Sequence, residues 1–157
     1  MSEPRVWLAG RDDAAEVARL MIGFRNWWKR DWPDDETFTR GVERLLADEN
    51  TDYLLGAVSD GESPAGVCGL RYRYGVWMDA LDCCLEDVYV EDSARGQRLG
   101  EALVEAGIAR ARERGAKRIE LDVNDANVPA QTLYERLGFS SYVEQMDGHN
   151  RLMRLHL

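Results

Sequence analysis

The sequence predicts an α/β or α+β domain built on one mixed sheet, and three observations carry that prediction. Residues 85–123 read as strand, turn, helix and strand, which is a β-α-β unit. Two pairs of strand patterns are joined by polar turn residues, Ser59-Asp60-Gly61-Glu62-Ser63-Pro64 and Asp147-Gly148, as hairpins are. At 157 residues and 45% hydrophobic the chain is the size of one ordinary domain with a real core, and no repeat, linker or low-complexity tract divides residues 1–157.

The elements follow in order. Residues 5–9 form a short strand, and the acidic pair Asp12-Asp13 after Gly10 is suited to cap a helix. Val17, Met21, Phe24 and Trp28 then recur at helical steps, which places Trp28 in the core. That helix ends before Pro33, and a second starts at Asp34-Asp35 with Phe38, Val42, Leu45 and Leu46 as its apolar face. Strands at residues 53–58 and 66–73 flank the first polar tip, and residues 80–90 form the next strand. Over residues 99–114, Gly100, Leu103, Val104, Gly107, Ile108 and Ala111 make one helical stripe, with Glu101, Glu105, Arg112 and Glu113 elsewhere on the wheel. Each stripe glycine costs roughly 1 kcal/mol against alanine, so close packing on a sheet or a ligand accounts for it. Gly115 stops the helix, residues 118–123 form a strand, and residues 142–146 and 152–155 flank Asp147-Gly148. The order is β-α-α-β-β-β-α-β-α-β-β.

Composition excludes several function classes. A net charge of -9, with 29 acids against 20 bases, argues against nucleic acid; the acidity serves solubility, or draws a cationic substrate. No apolar run approaches the roughly 20 residues of a membrane span, and the first residues lack the apolar core of a secretory signal. Cys68, Cys83 and Cys84 read as reduced core residues of a cytoplasmic protein rather than a disulfide framework, and with two histidines, His149 and His156, no zinc cluster is expected.

The informative stretch is the turn Arg95-Gly96-Gln97-Arg98-Leu99-Gly100. It follows a strand and opens a helix, so its N–H groups lie where an anion binds. It is neither the dinucleotide fingerprint nor a Walker turn. Together with Asn127, Tyr134 and Leu137-Gly138-Phe139 it resembles the GNAT superfamily of acyl-coenzyme A dependent N-acyltransferases, over residues 80–143. In that family an Arg/Gln-x-x-Gly-x-Gly/Ala turn holds the coenzyme A pyrophosphate, and an Asn precedes a Tyr by seven residues. The departure is Arg98, which stands at the family's middle glycine; it keeps its N–H, restricts how near a phosphate comes, and offers a charged contact.

The resemblance implies a single domain with a central mixed, mostly antiparallel sheet flanked by helices. It also implies acetyl-CoA as co-substrate with no metal, held by Val88, Tyr89, Val90, Arg95, Gly96, Gln97, Arg98, Leu99, Gly100, Glu101, Asn127 and Tyr134. A bulge at residues 88–90 is expected to let Val88 or its neighbour donate to the thioester oxygen. Family members are often dimers, so a homodimer is expected.

Acyl transfer to an amine needs a proton acceptor, because a free alkylamine has a pKa near 10.4. Glu86 and Asp87 are consecutive and face opposite sides of the sheet unless a bulge intervenes. Leu85-Glu86-Asp87 resembles the strand of polyamine-type members in which the glutamate is a proposed base, so Glu86 is preferred to Asp87. Tyr134 is a phenol able to protonate the leaving sulfur and, two helical turns after Asn127, shares its face; its alternative role is packing ahead of Leu137. The resemblance puts the acceptor near Trp27, Trp28 and Trp32, where aromatic faces with Asp31, Asp34 and Asp35 suit an organic cation; Trp27 and Trp32 are the pocket candidates. Tyr72, Tyr74 and Trp77 form a second aromatic group, a rim or dimer contact. Two acceptors fit: a small cationic amine, or a protein N-terminus or lysine. In a different class stands a non-catalytic acyl-CoA sensor, which would need neither Glu86 nor Tyr134.

Overall fold

A computed structural model describes residues 2–157. Two compact units make up the chain, one running to Leu121 and the other Asp122–Leu157.

In the first unit the order is β1 (Arg5–Leu8), α1 (Ala14–Trp27), α2 (Asp35–Leu46), β2 (Thr51–Ala57), β3 (Gly66–Gly75), β4 (Ala80–Val90), α3 (Leu99–Glu113) and β5 (Ala116–Glu120). The sheet runs β1-β2-β3-β4-β5, antiparallel throughout except for the parallel β4–β5 pair that the β4-α3-β5 crossover requires. This is the mixed, mostly antiparallel sheet expected. At the first helix the acidic pair behaves differently from expectation. Asp13 accepts from the Gly10 N–H at 2.8 Å across a 3₁₀ turn and caps nothing on α1. Asp34 does cap α2, accepting from the Thr37 N–H at 2.8 Å.

Each face of the sheet is covered. On one, Tyr53, Leu55 and Val67 pack with Val17, Leu20 and Met21 of α1 and Val42 of α2. On the other, α3 lays Leu99, Leu103, Val104, Gly107 and Ala111 down. Here the glycine reading moves from helix to sheet. A Cβ on Gly107 would sit an ordinary 3.5 Å from the Cys68 sulfur, whereas one on Gly56 or Gly66 would lie 2.8 or 2.7 Å from leucine methyls of α3. The sheet glycines, not the helix ones, let α3 come close.

Polar side chains pin the same contact. Asp52 is buried on β2 and accepts from Arg110 Nε at 2.8 Å and the Tyr72 hydroxyl at 3.1 Å, with Arg114 at 3.5 Å. Tyr72 is therefore core rather than a rim residue, while Tyr74 and Trp77 are exposed. Trp28 closes α1 but is 46% exposed, because its ring leans on Trp27 and Phe24 instead of the sheet. Cys84 is exposed also, unlike Cys68 and Cys83.

The second unit holds α4 (Val128–Arg136) and the pair β6 (Tyr142–Val143) with β7 (Gly148–His149). The expected hairpin is present but short. A 3₁₀ turn at Glu144–Met146 ends β6, Asp147 adopts a left-handed φ of 47°, and residues 152–155, expected as a strand, form none. Similarly β5 stops at Glu120 rather than residue 123. Among the described residues no helix is long and apolar enough to cross a membrane.

Candidate functional site

The site grows from two irregularities of β4. The first is a bulge. Asp87 pairs with Gly69 and Leu85 with Leu70, so Glu86 is the extra residue. Sequence reasoning placed a bulge at residues 88–90, where the structure instead keeps regular pairing from Val88 to Val90. Its displacement changes the chemistry, because the bulge turns both carboxylates to one face. The Asp87 carboxylate lies over Gly69 beside Tyr53, and Glu86 pairs at 3.6 Å with Arg71 on that side. Burial first, then the negative charges of Asp87 and Glu86, push the Tyr53 hydroxyl above its ordinary pKa, with Arg71 opposing.

Arg71 is a residue the sequence reading missed. Its guanidinium stands between Glu86 and Asp48, 3.8 Å away, and its buried Nε has no hydrogen-bond partner among the described residues. An arginine directly after the apolar run of residues 66–70 in β3 was the available signal.

The second irregularity is a parting of strands. β4 and β5 pair from Leu81 to Cys84, after which β4 continues to Val90 bonded only to β3. The N–H of Glu91 donates to the Ala65 carbonyl at 2.9 Å. Residues two and four before it therefore bond toward β3, and Val88 and Val90 turn their N–H groups to the opened side. The Val88 N–H thus points to the opened side from regular pairing, without the bulge expected at its position.

Beyond Val90 a 3₁₀ turn, Asp92–Ala94, leads into residues 95–100. Gly96 has φ 75° and Arg98 has φ 64°, ψ 11°, both left-handed. This explains the family's glycine at the Arg98 position, since glycine adopts that conformation without a Cβ clash. Among the described residues no side chain caps α3, and the Ala102 N–H donates to the Arg98 carbonyl, so the N–H groups of Leu99 and Gly100 precede the helical ladder. A Cβ on Gly96 would meet nothing within 4 Å, so there is room above the turn. A helix start without a side-chain cap, space and a helix dipole fit a phosphate-bearing group.

The cationic side chains are held in place. Arg98 pairs with Glu101 at 3.4 Å; Arg95 pairs with Asp92 at 2.8 Å, donates Nε–H to the Val90 carbonyl at 3.2 Å and lies over the Trp27 ring at 5.6 Å. Gln97 donates to the Ser93 carbonyl at 3.3 Å and borders a polar cleft of about 440 Å³. In that cleft Arg19 ties α1 to the end of β4 through Glu91 and to the β2–β3 loop through the Pro64 carbonyl at 2.6 Å.

Of the aromatic candidates, Trp27 therefore stands against the turn, whereas Trp32 is 68% exposed. In the second unit Asn127 caps α4 by accepting from the Ala130 N–H at 3.4 Å, and Tyr134 packs edge-on against Phe139 at 5.9 Å. Both lie in or at the start of α4, as the spacing requires.

β4, parted from β5 beyond Cys84, leads into a glycine-bearing turn at a helix start without a side-chain cap. The chain belongs to the acetyltransferase (GNAT) family, whose sequence model matches residues 21–139. Its relatives include a Bacillus subtilis (strain 168) protein provisionally assigned as a [ribosomal protein bS18]-alanine N-acetyltransferase, 34% identical over 107 residues. That match takes in 68% of this chain, which spans 63% of the relative's length. Aminoglycoside N(6')-acetyltransferase type 1 of Stenotrophomonas maltophilia is 28% identical over 142 residues, covering 88% of this chain and 87% of its own. A solved structure from Arthrobacter sp. FB24, provisionally assigned as an acetyltransferase, superposes with a TM-score of 0.85 at 29% identity, over 100% of this chain and 97% of that one.

Proposed function

We propose that the chain is an N-acetyltransferase that moves an acetyl group from acetyl-CoA to a primary amine by direct transfer, with a small cationic amine as acceptor. The observation that carries this reading is the bulge at Glu86, which sets two carboxylates on one face of the strand whose far end is the uncapped turn. Acetyl-CoA, when bound, supplies the acetyl thioester. The backbone N–H groups of residues 96–101, with Arg95 and Arg98, would hold its phosphates. The Val88 N–H donates to the oxygen that gains negative charge as the new N–C bond forms. Glu86 takes the proton the amine sheds, and Arg71 keeps a compensating charge beside it. Tyr134 is assigned, on the family motif, to give the departing sulfur its proton.

A protein N-terminus is the second acceptor reading, supported by the name carried by the Bacillus relative. The deciding experiment is titration of the purified protein with acetyl-CoA by calorimetry, followed by thiol release with polyamines, aminoglycosides, amino acids and N-terminal peptides. Release on a small amine is expected; release on peptides alone would transfer the assignment to the second reading. In the same assay Glu86→Gln is expected to lower kcat about 10²- to 10⁴-fold, with coenzyme A affinity kept. A Tyr134→Phe variant with full activity would remove the tyrosine from the scheme.

A further inference from the structure

We infer that Trp27 is a positioning residue for Arg95, a ring platform that holds the guanidinium ready for phosphate. This rests on the reading that the turn at residues 95–100 grips coenzyme A.

Arg95 has three anchors, and they differ in what a phosphate would do to them. Asp92 pairs with it at 2.8 Å, but that carboxylate is 83% exposed and is itself an anion. A surface pair of this kind holds weakly, and it competes with any phosphate for the same N–H donors. The Val90 carbonyl takes the Nε–H and leaves the terminal nitrogens. The Trp27 ring holds the cation through its face, at 5.6 Å, and uses none of the donors. Trp27 is thus the anchor that can stay in place when a phosphate arrives and the Asp92 contact yields.

The platform is itself braced. Trp27 meets Trp28 edge-on at 4.9 Å and Phe24 at 6.2 Å; Phe24 stacks on Tyr89 at 5.4 Å. Tyr89 precedes Val90, whose carbonyl binds Arg95, so the contacts close into a ring joining α1, β4 and the turn. The cation that the sequence suggested for Trp27 as a substrate is met by an arginine of the same chain.

The test is calorimetric titration with coenzyme A itself. Trp27→Ala should raise Kd about two- to fivefold, the worth of an exposed cation–π contact. Trp27→Phe, which keeps a ring face, should recover most of the affinity. Arg95→Ala should weaken binding further, and adding Trp27→Ala to it should change nothing more. Asp92→Asn should bind at least as tightly as the parent, because a competing anion has gone. Circular dichroism and Tm check each fold; should Trp27→Ala not fold, Trp27→Leu against Trp27→Phe makes the same comparison. Unchanged Kd in Trp27→Ala, or full additivity with Arg95→Ala, would overturn the inference. A parent protein that does not bind coenzyme A would overturn the functional reading and this inference together. Binding that responds to Arg95 but not to Trp27 would overturn the inference alone.

Discussion

Arg98 shows what a single residue conveys and conceals. Its identity marked it as a departure from the family's glycine, but its φ of 64° could not be read from identity. An L-residue pays about 1–2 kcal/mol in the left-handed region, and the Glu101 pair that Arg98 gains is solvent-exposed on the arginine side. Arg98→Gly is therefore expected to raise unfolding stability by about 0.5–1 kcal/mol, read as a higher urea midpoint with unchanged slope. Glu86 makes the complementary point. Sequence reasoning picked the carboxylate pair and named the condition under which they share a face, yet the bulge that meets it depends on how β3 registers against β4. Pairing between the two arms of the β3–β4 hairpin decides that, and the alternation of neither strand records it.

At the scale of elements, helices and central strands were legible because their apolar periodicity is strong. The ends were not: residues 152–155, expected as a strand, join no sheet among the described residues. The glycines of α3 were noticed, while those that matter for its approach sit in β2 and β3. Gly66→Ala should destabilise the fold by about 1–3 kcal/mol, because its Cβ would press on the fully buried Leu103 and on the Tyr89 carbonyl at 3.3 Å. By contrast Gly107→Ala should be neutral or stabilising by up to about 1 kcal/mol, since room exists and helix propensity improves. Chemical denaturation of both variants separates the two expectations. The β4–β5 pairing carries a pH dependence of its own. Arg118 donates to both oxygens of the buried Asp82, at 3.1 and 2.7 Å, and these bonds hold its carboxyl below the usual range. A depressed carboxyl stabilises the fold above its unfolded pKa, near 3.9, and the contribution is lost as pH falls through the folded value. Asp82→Asn should accordingly flatten the loss of stability below about pH 4, measured by urea unfolding across the acid range.

For the whole molecule, neither the -9 charge nor the family assignment specifies an acceptor. Long-range attraction predicts that KM for a polycationic acceptor rises with salt, while KM for an uncharged-tail amine changes little. The distribution of the three cysteines has a practical side. Burial raises the pKa of the Cys68 thiol well above the ordinary range and pushes Cys83 up to about 12, so both stay protonated and shielded inside the sheet. Cys84 faces solvent. A disulfide reagent added to the native protein should therefore consume one equivalent quickly and three after denaturation. Any colorimetric reading of released coenzyme A carries that single fast equivalent as its baseline, and a Cys84→Ser protein would give a silent background against which slow turnover could be counted.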